Sequence, residues 1–265
     1  MSARDSSNPM SYRNLGRHVY GLAAICFSAL TVAWRDFNGW QQIRPLGNVS
    51  HREILVYLAA AIWLLGGVAI QWRRTARAGA GTLGLLYLTF AVMWVPFIVA
   101  EPLNYDRWGN FFEQFSLVSG ALIVYGTGRG AKAGYFFFGI CVISFTLEQL
   151  FYLSGTASFV PKWLPPGQMF WAITTTIAMA LAAIALLTGR AALLAAQLLT
   201  VMIAGFGLLV WLPAPFTDPH KQMNWAGNCQ NLAILGAAWI AADYLGRNRA
   251  AEIANSPARS RGAAR

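Results

Sequence analysis

The feature that most constrains this chain is a succession of apolar runs, each about as long as a bilayer is thick, separated by short basic turns. The run NWAGNCQNLAILGAAWIAADYLG, residues 224–246, shows the type. It opens on polar amides, continues apolar, and closes on Asp243 beside Tyr244 and Arg247. No soluble helix needs an apolar run of that length with aromatic residues at both ends, whereas a helix crossing lipid does. Of the 265 residues 57% are hydrophobic and 11% charged, against about 25% charged in ordinary soluble domains. The formal charge of +10 would suggest nucleic acid in a soluble protein. Here the basic residues cluster between apolar runs, which is how membrane orientation is encoded. Nucleic-acid binding is therefore rejected, and the partner that composition implies is the lipid bilayer.

Eight runs have spanning length: 18–34, 54–72, 79–100, 108–125, 134–154, 169–188, 191–212 and 225–245. The first is a retained span and not a signal peptide, because Ala33-Trp34-Arg35 lacks the small-x-small cleavage pattern. With the N-terminus inside, fourteen Lys and Arg fall on the inner side and six on the outer. That imbalance places both termini in the cytosol and the protein, multi-pass, in the cytoplasmic (inner) membrane. The expected fold is all-α integral membrane, with eight transmembrane helices in two tandem, same-orientation four-helix units. The parts are a cytosolic tail (1–17), a first unit (18–127), a second unit (134–246) and a basic disordered tail (247–265).

The two units are read from an internal repeat. A shift of 117 residues lays Trp94-Val95-Pro96 on Trp211-Leu212-Pro213, Trp108 on Trp225, Glu113-Gln114 on Gln230-Asn231, and Arg73 on Arg190. Matches at Trp and Pro are informative because both residues are rare. Four spans is an even number, so the copies share an orientation and are related by an axis along the membrane normal. The first span aligns less well, and a shift of 115 would pair Cys26 with Cys141.

The second copy resembles the DoxX/DoxD-like membrane family. The matching positions are the Gly189-Arg190 turn between middle helices, Trp225, the NLAILGAAW string from Asn231 to Trp239, and the terminal acid Asp243. The family takes its name from a subunit of an archaeal thiosulfate:quinone oxidoreductase. The resemblance implies a membrane component of quinone- or thiol-linked redox chemistry, with a quinone as ligand and a redox partner protein. This chain departs by doubling the unit and by having no C-x-x-C, so direct thiol–disulfide exchange is not expected.

Ionisable groups inside spans point to chemistry, because a charge in hydrocarbon costs several kcal/mol. Glu148 and Glu113 are the candidate catalytic acids, both in the outer half of the bilayer. Arg35, Gln149, Asn228, Gln230 and Asn231 are the candidate ligand-binding groups at similar depth, and a carboxylate among them is placed to move protons for a quinone or a transported molecule. Two structural alternatives stand beside this. Glu148 pairs with Arg35 and only joins helices, and the face carrying Asn224, Asn228 and Asn231 is hydrogen-bonding glue. The three cysteines and three histidines are scattered without ligand spacing, so no metal site is expected, and the cysteines read as small packed residues. The Asn48-Val49-Ser50 sequon matters only in a glycosylating pathway. Three functions stay open: a quinone-associated redox component, a small-solute transporter, and a non-catalytic assembly partner.

Overall fold

The computed structural model describes residues 14–41, 43 and 49–262. The segments before Asn14 and after Gly262, Arg44 and the sequon residue Asn48 lie outside the described residues. Within them the chain is all-α, with no strand. The elements are α1 (Leu15–Trp34), α2 (Arg52–Ala69), α3 (Ala76–Met93), α4 (Val95–Ala100), α5 (Tyr105–Tyr125), α6 (Arg129–Phe151), α7 (Leu153–Phe159), α8 (Gln168–Thr188), α9 (Ala192–Phe206), a π-helical turn (Gly207–Trp211), α10 (Ala214–Thr217) and α11 (Gln222–Gly262).

Six helical segments are long and apolar enough to cross a membrane: Leu15–Trp34, Arg52–Ala69, Ala76–Ala100, Arg129–Phe151, Gln168–Thr188 and Ala192–Thr217. Helices α5 and α11 are not among them. The first turns of α5 carry Asp106, Arg107, Asn110 and Glu113. Helix α11 runs on past the expected end of its span, so residues 247–262, read from sequence as disordered, continue the helix.

The helices pack as a ring with a crossing at its centre. α2 joins α1 to α3, and α8 joins α6 to α9. α5 lies on α3 and α6, α11 lies on α9 and α1, and α5 meets α11 in the middle. At the lower end of the bundle, where α1 begins, Asp243 of α11 accepts the free Gly16 N–H of α1 (3.3 Å). An acid there complements the helix N-terminus. Arg247 donates to Asn14 beside it (2.8 Å). At the upper end three connections close alike. The indoles of Trp108, Trp171 and Trp225 donate to the carbonyls of Pro102, Pro165 and Pro219, at 3.0, 2.9 and 2.9 Å. Proline cannot continue a helix, and each tryptophan ties the broken end to the helix that follows.

The interior bounded by α1, α2 and α3 is filled with aromatic rings. Trp63 is stacked between Phe27 and Phe90, both at 5.3 Å. Phe37 meets Phe90 edge-on at 5.8 Å, and Tyr20 meets Tyr87 at 5.9 Å. All are buried.

Candidate functional site

A cavity of about 440 Å³ opens at the upper end between α5, α6, α8, α9 and α11. Its walls hold Glu113 and Asp106 of α5, Glu148 and Gln149 of α6, and Gln230 and Asn231 of α11. The rest is largely apolar and aromatic, with Phe145, Phe159, Trp171, Phe206 and Trp211. Helix α7 and the segment after it cover one side through Thr156, Phe159 and Leu164. The sequence did not separate α7 from the fifth span.

Each carboxylate reaches this place for a local reason. Glu113 stands eight residues into α5, about 12 Å below its start at ~1.5 Å per residue. Trp40, from the chain that follows α1, lines the cavity with it. Trp40 is itself fixed by the Trp94 indole, which donates to its carbonyl (3.0 Å), and by an edge contact with Trp211 at 6.1 Å. The second oxygen of Glu113, Oε2, is buried without a partner. Glu148 lies in the last turn of α6, with its carboxylate packed against Gly109 of α5. A Cβ at Gly109 would stand 2.6 Å from that carboxylate, so a larger residue there would push the Glu148 head aside. Glu113 feels the charge of Glu148 and Asp106, and Glu148 that of Asp106. No Lys or Arg lines the cavity among the described residues. Among the described residues the ion pairs are Arg52–Asp36, Arg107–Glu101 and Arg107–Asp106, the last two at 3.3 Å.

The expected site residues divide as follows. Glu113, Glu148, Gln149, Gln230 and Asn231 share the one cavity. Gln149 is hydrogen-bonded to Thr176 of α8 (3.0 Å). Gln230 accepts from Gln114 of α5 (3.3 Å), which leaves Gln230 Nε2 and Gln114 Oε1 buried and unpaired. Arg35 is a correction. It caps α1 in the left-handed conformation (φ 52°), lies exposed and outside the cavity, and makes no ion pair with Glu148. The chain reverses at that residue, so closeness in depth does not bring its side chain inward. Asn228 is a second correction. It lies outside this cavity and donates to the carbonyls of Trp211 (2.6 Å) and Asn224 (2.9 Å).

The asparagine face of α11 has a structural task. Asn224 donates to Ala214 and Asp218 carbonyls at 3.1 and 3.0 Å, and Asn231 to that of Ile203 at 3.2 Å. With Asn228, the three amides serve the stretch from α9 through the π-helical turn to α10. A broken helix needs such partners where water is scarce.

The sequence missed Asp106, Trp40, Gln114, Gly109 and the aromatic wall as parts of the site. Gln114 had a signal, since the repeat lays it on Asn231. Gly109 had none, because its role depends on a side chain from another helix. Comparison with protein-family models, with curated proteins and with solved structures finds no match.

Proposed function

We propose that this chain is a DoxX-like component of the cytoplasmic membrane, with eight spans in two tandem units and both termini cytosolic, which exchanges protons with a quinone at the Glu113–Glu148 cavity. The observation that carries the reading is three carboxylates, Asp106, Glu113 and Glu148, in one largely apolar cavity with no Lys or Arg among its walls. Carboxylates so placed suit the binding and release of protons, and the aromatic wall suits a planar ring. In this reading the protein is a membrane oxidoreductase subunit and passes electrons to a partner protein.

Several features support the two-unit scaffold. Every main packing pair in the first half has a counterpart: α1 with α2 matches α6 with α8, α3 with α5 matches α9 with α11, and α1 with α11 matches α6 with α5. A Cβ on Gly16 would run into the Ile240 backbone N, and one on Gly134 into that of Ile123. Gly16 therefore answers to Gly134, and the pairing of Cys26 with Cys141 gives way. Buried positions match between α2 and α8, with Val56, Ala60, Trp63 and Gly67 against Ala172, Thr176, Met179 and Ala183. The same holds for Ala76, Ala80 and Leu83 of α3 against Ala192, Ala196 and Leu199 of α9. This register is one residue short of that joining Trp94 to Trp211. The π-helical turn is where the extra residue enters, as π-bulges do. The gap-free overlay expected from sequence is thus interrupted there.

The test is binding of decylubiquinone to the purified protein, followed by tryptophan quenching, with Glu148→Gln and Glu113→Gln beside the parent. Loss of the pH dependence of binding in both variants is the expected result. No quinone binding by the parent would sink the reading. A second reading, transport of a small solute, draws on the breaks at Trp94 and at Gly207–Trp211, which fall in corresponding places, as discontinuous helices do in transporters. Uptake by proteoliposomes that Glu148→Gln abolishes would favour it.

A further inference from the structure

A second cavity, a groove of about 740 Å³, runs between α1, the π-helical turn and α11. No Asp, Glu, Lys or Arg lines it. Its walls are mostly aliphatic, and Trp34 and Trp225 stand among them with ring centroids 6.4 Å apart. A groove with no charged wall admits a hydrocarbon chain more readily than a polar solute. It also contains two cysteines, Cys26 of α1 and Cys229 of α11. Cys26 stands eight residues before the end of α1 and Cys229 seven after the start of α11, so both lie about 10–12 Å below the upper end. They stand on two helices packed against each other, and both side chains border the same groove. Nothing local in the sequence signals this, because the pair joins α1 to α11. Cys141 lies elsewhere, buried on α6 and outside both cavities.

Two neighbouring thiols deliver two electrons and two protons together, and here they border a mostly apolar groove with no charged wall, in which Asn228 and Asn231 are the amide side chains. The oxidant that acyl chains themselves carry is the hydroperoxide. We propose that Cys26 and Cys229 are a redox pair that reduces a lipid-borne hydroperoxide in this groove and closes to a disulfide.

The chemistry balances without another reactant. The sulfur of one cysteine attacks the terminal peroxide oxygen. The O–O bond breaks, and the departing alkoxide takes that thiol's proton and leaves as an alcohol. The cysteine is now a sulfenic acid. The second sulfur attacks it, the S–S bond forms, and hydroxide leaves with the second thiol's proton as water. One hydroperoxide and two thiols give one alcohol, one water and one disulfide. Glu113 and Glu148 take no part, so the inference stands independently of the quinone reading.

The test uses the reduced full chain in nanodiscs, held without oxygen and given cumene hydroperoxide. Cumyl alcohol is measured by chromatography, and free thiols by maleimide–polyethylene glycol gel shift. The parent and Cys141→Ser should each lose two labelled thiols, stay monomeric on a non-reducing gel, and release one alcohol per chain. Cys26→Ser and Cys229→Ser, and the alanine variants that guard against a folding defect, should form no internal disulfide. Hydrogen peroxide, excluded by the apolar walls, should react at least tenfold more slowly than cumene hydroperoxide. The proposal is overturned if the parent keeps all its thiols, if it forms only cross-linked dimers, or if the two peroxides react equally fast.

Discussion

In the two-unit arrangement proposed above, equivalent positions in the two halves carry different fillings. In the first half Trp63, Tyr87 and Phe90 close the space with stacked and edge-on rings. In the second half the same register leads to Met179, Ile203 and the half-buried Phe206, and all three border the 440 Å³ cavity. The register set by Gly16 and Gly134 puts Glu148 where the first half has Leu30. One unit thus fills the space with three rings, and the other keeps one ring but has Met179 and Ile203 in place of Trp63 and Tyr87, with an acid beside the room they leave. Duplication would let one half carry stability while the other gives some of it up for a polar site, a division expected of functional sites.

The largest effect should come from emptying the filled half. Trp63→Ala removes a ring packed against Phe27 and Phe90 and should cost about 3–5 kcal/mol, measured by unfolding in mixed micelles. Met179→Ala, at the matching position beside existing empty space, should cost about 2 kcal/mol, at the low end for such a change. Equal losses at the two positions would break the comparison.

Filling the hollow half is the converse. Met179→Trp should leave helicity and melting close to the parent and lower decylubiquinone affinity at least tenfold, read by tryptophan quenching. Asn228→Ala should cost about 1 kcal/mol, the scale of a hydrogen bond between membrane helices. The loss should appear as faster hydrogen exchange over 207–217, since the Trp211 carbonyl loses its partner.

The smallest effect lies outside the spans, in the first half. The Glu101 carboxyl is held below its ordinary 4.5 by the Asn104 side chain and then by Arg107. A depressed value means that its contribution is present above pH 4.5 and is lost as the pH falls through the lower folded value. The 101–107 connection should therefore loosen to protease only in acid, and Glu101→Gln should remove that response.

What the sequence revealed followed from periodicity and from rare residues. Apolar runs located the helices, and the Trp and Pro matches located the breaks. Glu113 and Glu148 stood out because an acid in an apolar run is costly. The π-helical turn was hidden, because one added residue in GLLVW leaves the run looking uninterrupted. Arg35 was misjudged because depth along α1 says nothing about a left-handed reversal at its end. Asn228 looked like a ligand group because the broken carbonyls that it serves belong to another helix. The cysteine pair was invisible for the same reason: it is made by the contact of α1 with α11 and by nothing local.

That contact has a consequence for how the molecule is made. A helix made early docks on one made much later, so α1 must wait in the bilayer with an unmatched face until α11 has been synthesised. Holding factors in the membrane, or a provisional neighbour such as α5, have that interval in which to act. Stopping synthesis before α11 should leave a product that quality control removes, however well its own helices insert.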